Sequence, residues 1–159
     1  RGRPVIRPAR AADAPAIAAI WNPVIRHSTA IFSSEERSEE EIARLAAQDF
    51  WIWDEGGTIL GFARFFPFRA GNGYAFTVEH TVMVAPEGQG RGIGRALMLR
   101  VIEEARAQAK HSLWAAVTGE NEAGLLFHKA LGFTEHARLP EVGRKFGRWH
   151  DVVLLGLRL

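Results

Sequence analysis

Between Val82 and Met98 the chain reads VMVAPEGQGRGIGRALM, and this stretch constrains the fold more than any other. A β-branched run stops at Pro86, crosses glycines at 90, 92 and 94, and turns into an apolar pattern of helical period. Ile93, Leu97, Val101 and Ala105 recur every fourth residue with Met98 and Ile102 beside them, so one face of a long helix is apolar. A helix start carries four backbone N–H groups without intrahelical partners and about half a positive charge. Such an end binds anions when the backbone can be approached closely. Gly90, Gly92 and Gly94 take away the side chains that would block approach, and Arg91 and Arg95 add formal charge. The ligand expected here carries phosphate.

The flanking sequence supplies strands for that helix to cover. PVIRPA reads as a short first strand, and RAADAPAIAAIWNPVI as a helix with Pro15 in its first turn. Ser38 is placed to cap a second helix, EEEIARLAAQ. FWIWDEGGTILGFARFFPF is two apolar runs around Glu55-Gly56-Gly57, a hairpin. YAFTVEHTVMVA reads as one long strand, rich in β-branched residues. After the long helix come the strand SLWAAVT, the short helix NEAGLLFHKALGF and the final strand RWHDVVLLGLRL. The expected order is β-α-α-β-β-β-α-β-α-β-β, a single α/β domain over residues 1–159 built on a mixed sheet.

Composition closes off several classes. Ten Phe and five Trp provide ample apolar area for a core. The absence of cysteine excludes disulfides, zinc–thiolate sites and a cysteine nucleophile, and no metal is expected. The net charge is +2 with both signs interspersed, so no nucleic-acid partner is expected. No run approaches the roughly 18 apolar residues of a membrane span. RGRPVIRPAR lacks the apolar segment of a secretory signal, and a cytoplasmic location without membrane partners is expected.

Four readings of the glycine stretch compete. A P-loop requires GK[ST] where this chain has Gly94-Arg95-Ala96, and a dinucleotide-binding turn requires a third glycine where it has Arg95 or Leu97. A glycine-rich turn without ligand is the third. The fourth is Q-x-x-G-x-G after a strand, filled by Gln89, Gly92 and Gly94. That pattern resembles the coenzyme A pyrophosphate loop of the GCN5-related N-acetyltransferases (GNAT). TVEHTVMVAPEGQGRGIGRALM, NEAGLLFHKALGF and VGRKFGRWHDV together resemble the branch that acetylates phosphinothricin and methionine sulfone or sulfoximine.

The resemblance implies a single-domain GNAT fold, a mixed splayed sheet flanked by helices on both faces, with acetyl-CoA as cosubstrate. It implies that the pyrophosphate lies on Gln89, Gly90, Arg91, Gly92, Ile93, Gly94 and Arg95, and the pantetheine arm on backbone groups of Val82, Met83 and Val84. It puts Asn121 beside that arm, although Asn121 is equally suited to capping the following helix. It assigns a general base to Glu79, and His128 stands where many relatives carry a proton-donating tyrosine. Glu79 also fits by its setting, since aromatic and β-branched neighbours promise burial and a raised pKa. His80 should point to the opposite strand face. For the acceptor, a small amine, Arg69 and Tyr74 match a basic position and a substrate-side tyrosine of the resembled branch, and the sequence itself offers Phe32 as an apolar wall and Arg64 as a further anion partner. Gly71 and Ala75 replace residues that are often charged in the branch, which leaves the acceptor open. A homodimer is implied as well. A peptide or protein N-terminal acetyltransferase and a non-catalytic acyl-CoA-binding module remain as alternative readings.

Overall fold

The computed structural model describes residues 2–159. The elements follow in the order β1 (Pro4–Pro8), α1 (Ala14–His27), α2 (Glu39–Leu45), β2 (Phe50–Glu55), β3 (Thr58–Pro67), β4 (Thr77–Val84), α3 (Ile93–Ala107), β5 (Ser112–Thr118), α4 (Glu122–Ala130), β6 (Thr134–Lys145) and β7 (Arg148–Arg158). This is the succession the sequence announces. The strands form one sheet in the order β1-β2-β3-β4-β5-β7-β6, antiparallel everywhere except between β4 and β5. A parallel pair needs a long crossover, and α3 provides it.

Several helices end about three residues earlier than the sequence reading, and two elements start later. The strand expected from Tyr74 begins at Thr77, because Asn72–Tyr74 form a tight helical turn. Tyr74 and Ala75 donate their amides to Gly71 and Asn72, which removes them from the ladder. The first helix is preceded by a separate turn at Ala11–Asp13, fixed by the Asp13 carboxylate. That carboxylate accepts the Arg10 amide at 2.7 Å and both arms of Arg7 at 2.9 Å. Pro23 lies inside α1 without ending it.

Alternation along the strands sets the layers. Phe62 packs on Trp21 of α1 with ring centroids 5.0 Å apart. At its neighbour Gly61 an added Cβ would lie 3.1 Å from Leu97 and 3.2 Å from Ile93, both of α3. Adjacent residues of a strand face opposite ways, so α1 and α3 cover opposite faces of the sheet. The core is apolar on both sides, with Ile17, Trp21, Ile25 and Phe50 on one and Leu97, Met98, Val101 and Ala105 on the other. His128 of α4 meets His80 of β4, which shares a face with Gly61, so α4 lies on the α3 side.

Candidate active site

The sheet splits at one place. β4 and β5 pair only through Thr77–Ser112, Val78–Leu113 and Glu79–Trp114. Beyond Glu79, β4 stays with β3 and β5 runs on with β7. The outer edge of β4 from His80 to Val84 therefore opens onto a cleft of about 800 Å³. Ala85 donates its amide to Leu60 of β3 at 2.8 Å. Backbone groups alternate along a strand, so Val84 and Val82 direct theirs into the cleft while Met83 directs its own to β3. Gln89 already holds the Val84 carbonyl through its side-chain amide at 3.0 Å. The open edge thus offers chiefly Val82 and the Val84 N–H, a ladder that an amide-bearing chain can complete.

At the far end of that edge lies the glycine turn. Gly90 and Gly92 have φ of 74° and 78°, and nothing lies within 4 Å of a Cβ added to either. Both need the left-handed region that glycine adopts without cost, and both leave their backbone bare. Gly92 opens α3, so the unpaired N–H groups of the helix start face the same space. Gly94 differs, sitting in the first turn within ordinary contact of Phe127 and Val84. Gly88, which the sequence reading passed over, is a packing glycine: a Cβ there would lie 2.9 Å from Ile93. Arg91 is turned away from the cleft. It makes a two-armed ion pair with nearly buried Glu55, at 2.6 and 3.3 Å, and ties the turn to the β2–β3 hairpin. Arg95 lines the cleft and, among the described residues, has no ion-pair partner, so its charge is available to an anion. A bare backbone edge ending in an anion site fits a long amide-containing ligand with a phosphate tail.

Glu79 is the last paired residue before the split, on the α1 face, half-buried and lining the cleft. Burial raises its pKa, and the charges of Arg69 and then Arg64 counter part of that effect. His80 points to the other face, as expected, but it is not idle. Its Nε2 lies 2.9 Å from His128 Nε2, and His128 Nδ1 lies 2.6 Å from the Gly124 carbonyl. Both ring nitrogens of His128 are therefore engaged. Glu79 and His128 approach the split from opposite faces of the sheet. Asn121 caps α4 by accepting the Gly124 amide at 3.0 Å, and it also lines the cleft.

The wall of the cleft beside β6 and β7 is built by the segment after α1. Ser28, Thr29, Ala30, Ile31 and Phe32 all line the cleft. Phe32 sits on Gly143 of β6, where any Cβ would overlap its ring, and near His150 at 5.7 Å between centroids. Lys145 lies beneath this segment and donates to the carbonyls of Ser28, at 2.6 Å, and Ile31. Thr118 donates to the Thr29 carbonyl at 2.9 Å. No local pattern marks Lys145, which lies 114 residues along the chain from Ile31. Arg69 and Tyr74 are exposed and outside the cleft lining; Arg69 stacks on Phe68 at 4.9 Å. Arg64 stacks on Phe66 at 4.3 Å, and burial brings its pKa down to about 10. Among the described residues no group of three or more His, Cys, Asp or Glu could hold a metal ion, and no helix is long and apolar enough to cross a membrane.

The comparisons agree with this geometry. The chain is 39% identical over 160 residues to the L-amino acid N-acyltransferase MnaT of Escherichia coli, covering 97% of this chain and 93% of that protein. It is 38% identical to the L-methionine sulfoximine/L-methionine sulfone acetyltransferase of Salmonella typhimurium, covering 97% and 94%. The solved structure of YncA from Salmonella typhimurium with its cofactor acetyl-CoA superimposes with a TM-score of 0.93 at 36% identity, covering 98% of this chain and 94% of that one. The model of the acetyltransferase (GNAT) family matches residues 19–133, which span both sides of the split and the glycine turn. The chain belongs to the GNAT family of acetyltransferases.

Proposed function

We propose that this chain is a single-domain cytoplasmic enzyme that transfers the acetyl group of acetyl-CoA to the α-amino group of a small amino acid or analogue, of the methionine sulfone or phosphinothricin kind. The observation that carries the proposal is the open edge of β4, which runs from a half-buried carboxylate to a turn of bare backbone at a helix start. The relatives' acceptors support the amino-acid class. Neither nucleic acid nor membrane is required. Exposed Leu139, Val142, Phe146 and Trp149 on the β6–β7 hairpin supply apolar surface for a homodimer.

The chemistry divides among the residues in place. Gly90, Gly92 and the start of α3 hold the pyrophosphate, and Arg95 adds charge. Val82 and Val84 hold the pantetheine arm, with the Val84 N–H near the thioester oxygen. The bound thioester supplies an activated acetyl carbon and a leaving sulfur. An α-amino group has a pKa of about 8 and arrives mostly as ammonium. Glu79 takes its first proton, directly or through one water, and its raised pKa suits the task. The N–C bond forms as the C–S bond breaks, and the sulfur leaves with the bonding pair. A thiol pKa of about 8.5 makes that thiolate a tolerable leaving group; it gains a proton from solvent, and the nitrogen loses its second one there. Backbone N–H donors that strengthen as oxygen gains charge lower the barrier without a proton transfer. Arg69 and Arg64, whose charges act on Glu79, draw the acceptor's carboxylate toward it, and Phe32 bounds the acceptor's side chain from within the cleft.

Free-thiol release from acetyl-CoA, measured over amino acids, sulfone and sulfoximine analogues, polyamines and short peptides, tests the proposal. Turnover should be confined to small amino acids. Turnover confined to peptides, or acetyl-CoA binding without turnover on any amine, would overturn it.

A further inference from the structure

Two buried histidines occupy the apex of the split. His80 follows the last β4–β5 pair and is 8% exposed, and His128 of α4 is 6% exposed. Their hydrogen positions follow from their partners. A carbonyl only accepts, so His128 Nδ1, 2.6 Å from the Gly124 oxygen, carries a hydrogen. A neutral imidazole has one N–H, so His128 Nε2 is a bare lone pair. His80 Nε2, at 2.9 Å, must then be the donor. That leaves His80 Nδ1 as a lone pair, and it is the ring nitrogen found buried without a partner. The reverse direction would require an imidazolium at His128, whose ring neighbours are Phe127 and Phe133, each 5.2 Å away between centroids. Burial opposes charge on both rings, lowering His128 and taking His80 to about 3.

We infer that His80 is a positioning residue: its Nε2–H holds His128 in the Nδ1–H tautomer and fastens α4 to β4 where the β4–β5 ladder ends, so the pair fixes the width of the acetyl-CoA slot and supplies no proton to the leaving sulfur. This rests on the acetyltransferase reading of the cleft. The expected proton donor, His128, has no free N–H: one nitrogen faces its own helix and the other receives His80. The pair does for the split what ladder bonds do for the rest of the sheet. Asn121 and Phe127, carried on the same helix, are thereby held at a set distance from Val82 and Val84.

Nitrogen-15 NMR of the histidine side chains at neutral pH, on the intact protein, reads the tautomers directly. His128 should show a protonated Nδ1 and a bare Nε2, and His80 the reverse. Kinetics supply the second readout. His80→Gln keeps a donor at the Nε2 position and should stay within about 3-fold of wild type in kcat/KM, while His80→Leu should raise the acetyl-CoA KM about 10-fold with a smaller change in kcat. His128→Gln keeps an acceptor for His80 but has no acidic proton, and its kcat should fall less than about 10-fold. An imidazolium or an Nε2–H tautomer at His128 would overturn the inference. So would a loss of about 100-fold or more in kcat for His128→Gln at unchanged acetyl-CoA affinity. If wild-type protein fails to bind acetyl-CoA in calorimetry, it is the reading of the cleft that falls instead.

Discussion

Glu79 ends the β4–β5 ladder and is half-buried. Burial raises its folded-state pKa, so the fold is penalised as pH rises from the ordinary glutamate value through the raised one. Glu79→Gln removes that penalty, so the variant should keep or slightly raise its Tm while kcat falls roughly 100-fold or more. Because the carboxylate must be ionised to accept a proton, kcat/KM should fall on the acid side at a pH above the ordinary glutamate range, and the variant should lose that limb. An unaltered acid limb would remove Glu79 from the chemistry. Gly92 makes a second case at this scale. With φ at 78° and open space around it, a side chain there costs backbone strain of about 1–3 kcal/mol and intrudes on the phosphate site. Gly92→Val should weaken acetyl-CoA binding by at least about 10-fold in calorimetry; unchanged affinity would refute the phosphate assignment.

At the scale of elements, the segment from Ser28 to Phe32 is the part of the site least defined by its own sequence. It is irregular and is shaped by β5, β6 and β7, through Thr118, Lys145 and His150. Lys145→Met removes two charge-assisted bonds to the loop while keeping most of the side-chain volume. Each such bond contributes about 1.5–3 kcal/mol, so the acceptor KM should rise at least about 10-fold while the acetyl-CoA KM stays put. Equal changes in both would show that Lys145 supports the whole cleft. The Glu55–Arg91 pair joins elements in the same way. The sequence reading counted Arg91 toward the phosphate charge; β2, which ends in Glu55, brings a carboxylate against Arg91, while Arg95 lines the cleft with no ion-pair partner among the described residues.

For the whole molecule, the cleft is a gap in a seven-stranded sheet, and a gap is a cost until it is filled. A ligand that completes the β4 edge should stabilise the fold by mass action. At 100 times its Kd, acetyl-CoA should add about 2.7 kcal/mol and raise the Tm by about 5–10 °C in a thermal melt. Gly92→Val should flatten that response at the same concentration. No shift with wild-type protein would argue that the split is an empty architectural feature.

What the sequence by itself determined is local. The helix α3 is legible because its apolar residues repeat at the period of the backbone, and the glycine turn because glycine adopts positive φ without the strain a side chain brings. The β2–β3 hairpin and the caps at Ser38 and Asn121 are legible for the same reason, since each is settled by residues a few positions apart. Glu79 could be singled out as a base candidate, but its place at the apex of the split could not. That apex, the turning away of Arg91, the bridge between His80 and His128, and the lysine beneath the Ser28–Phe32 segment were decided only by the tertiary structure. Each is a contact between groups 35 to 117 residues apart in the chain, and pairings at that distance are chosen by how the sheet closes and packs, which no local pattern encodes.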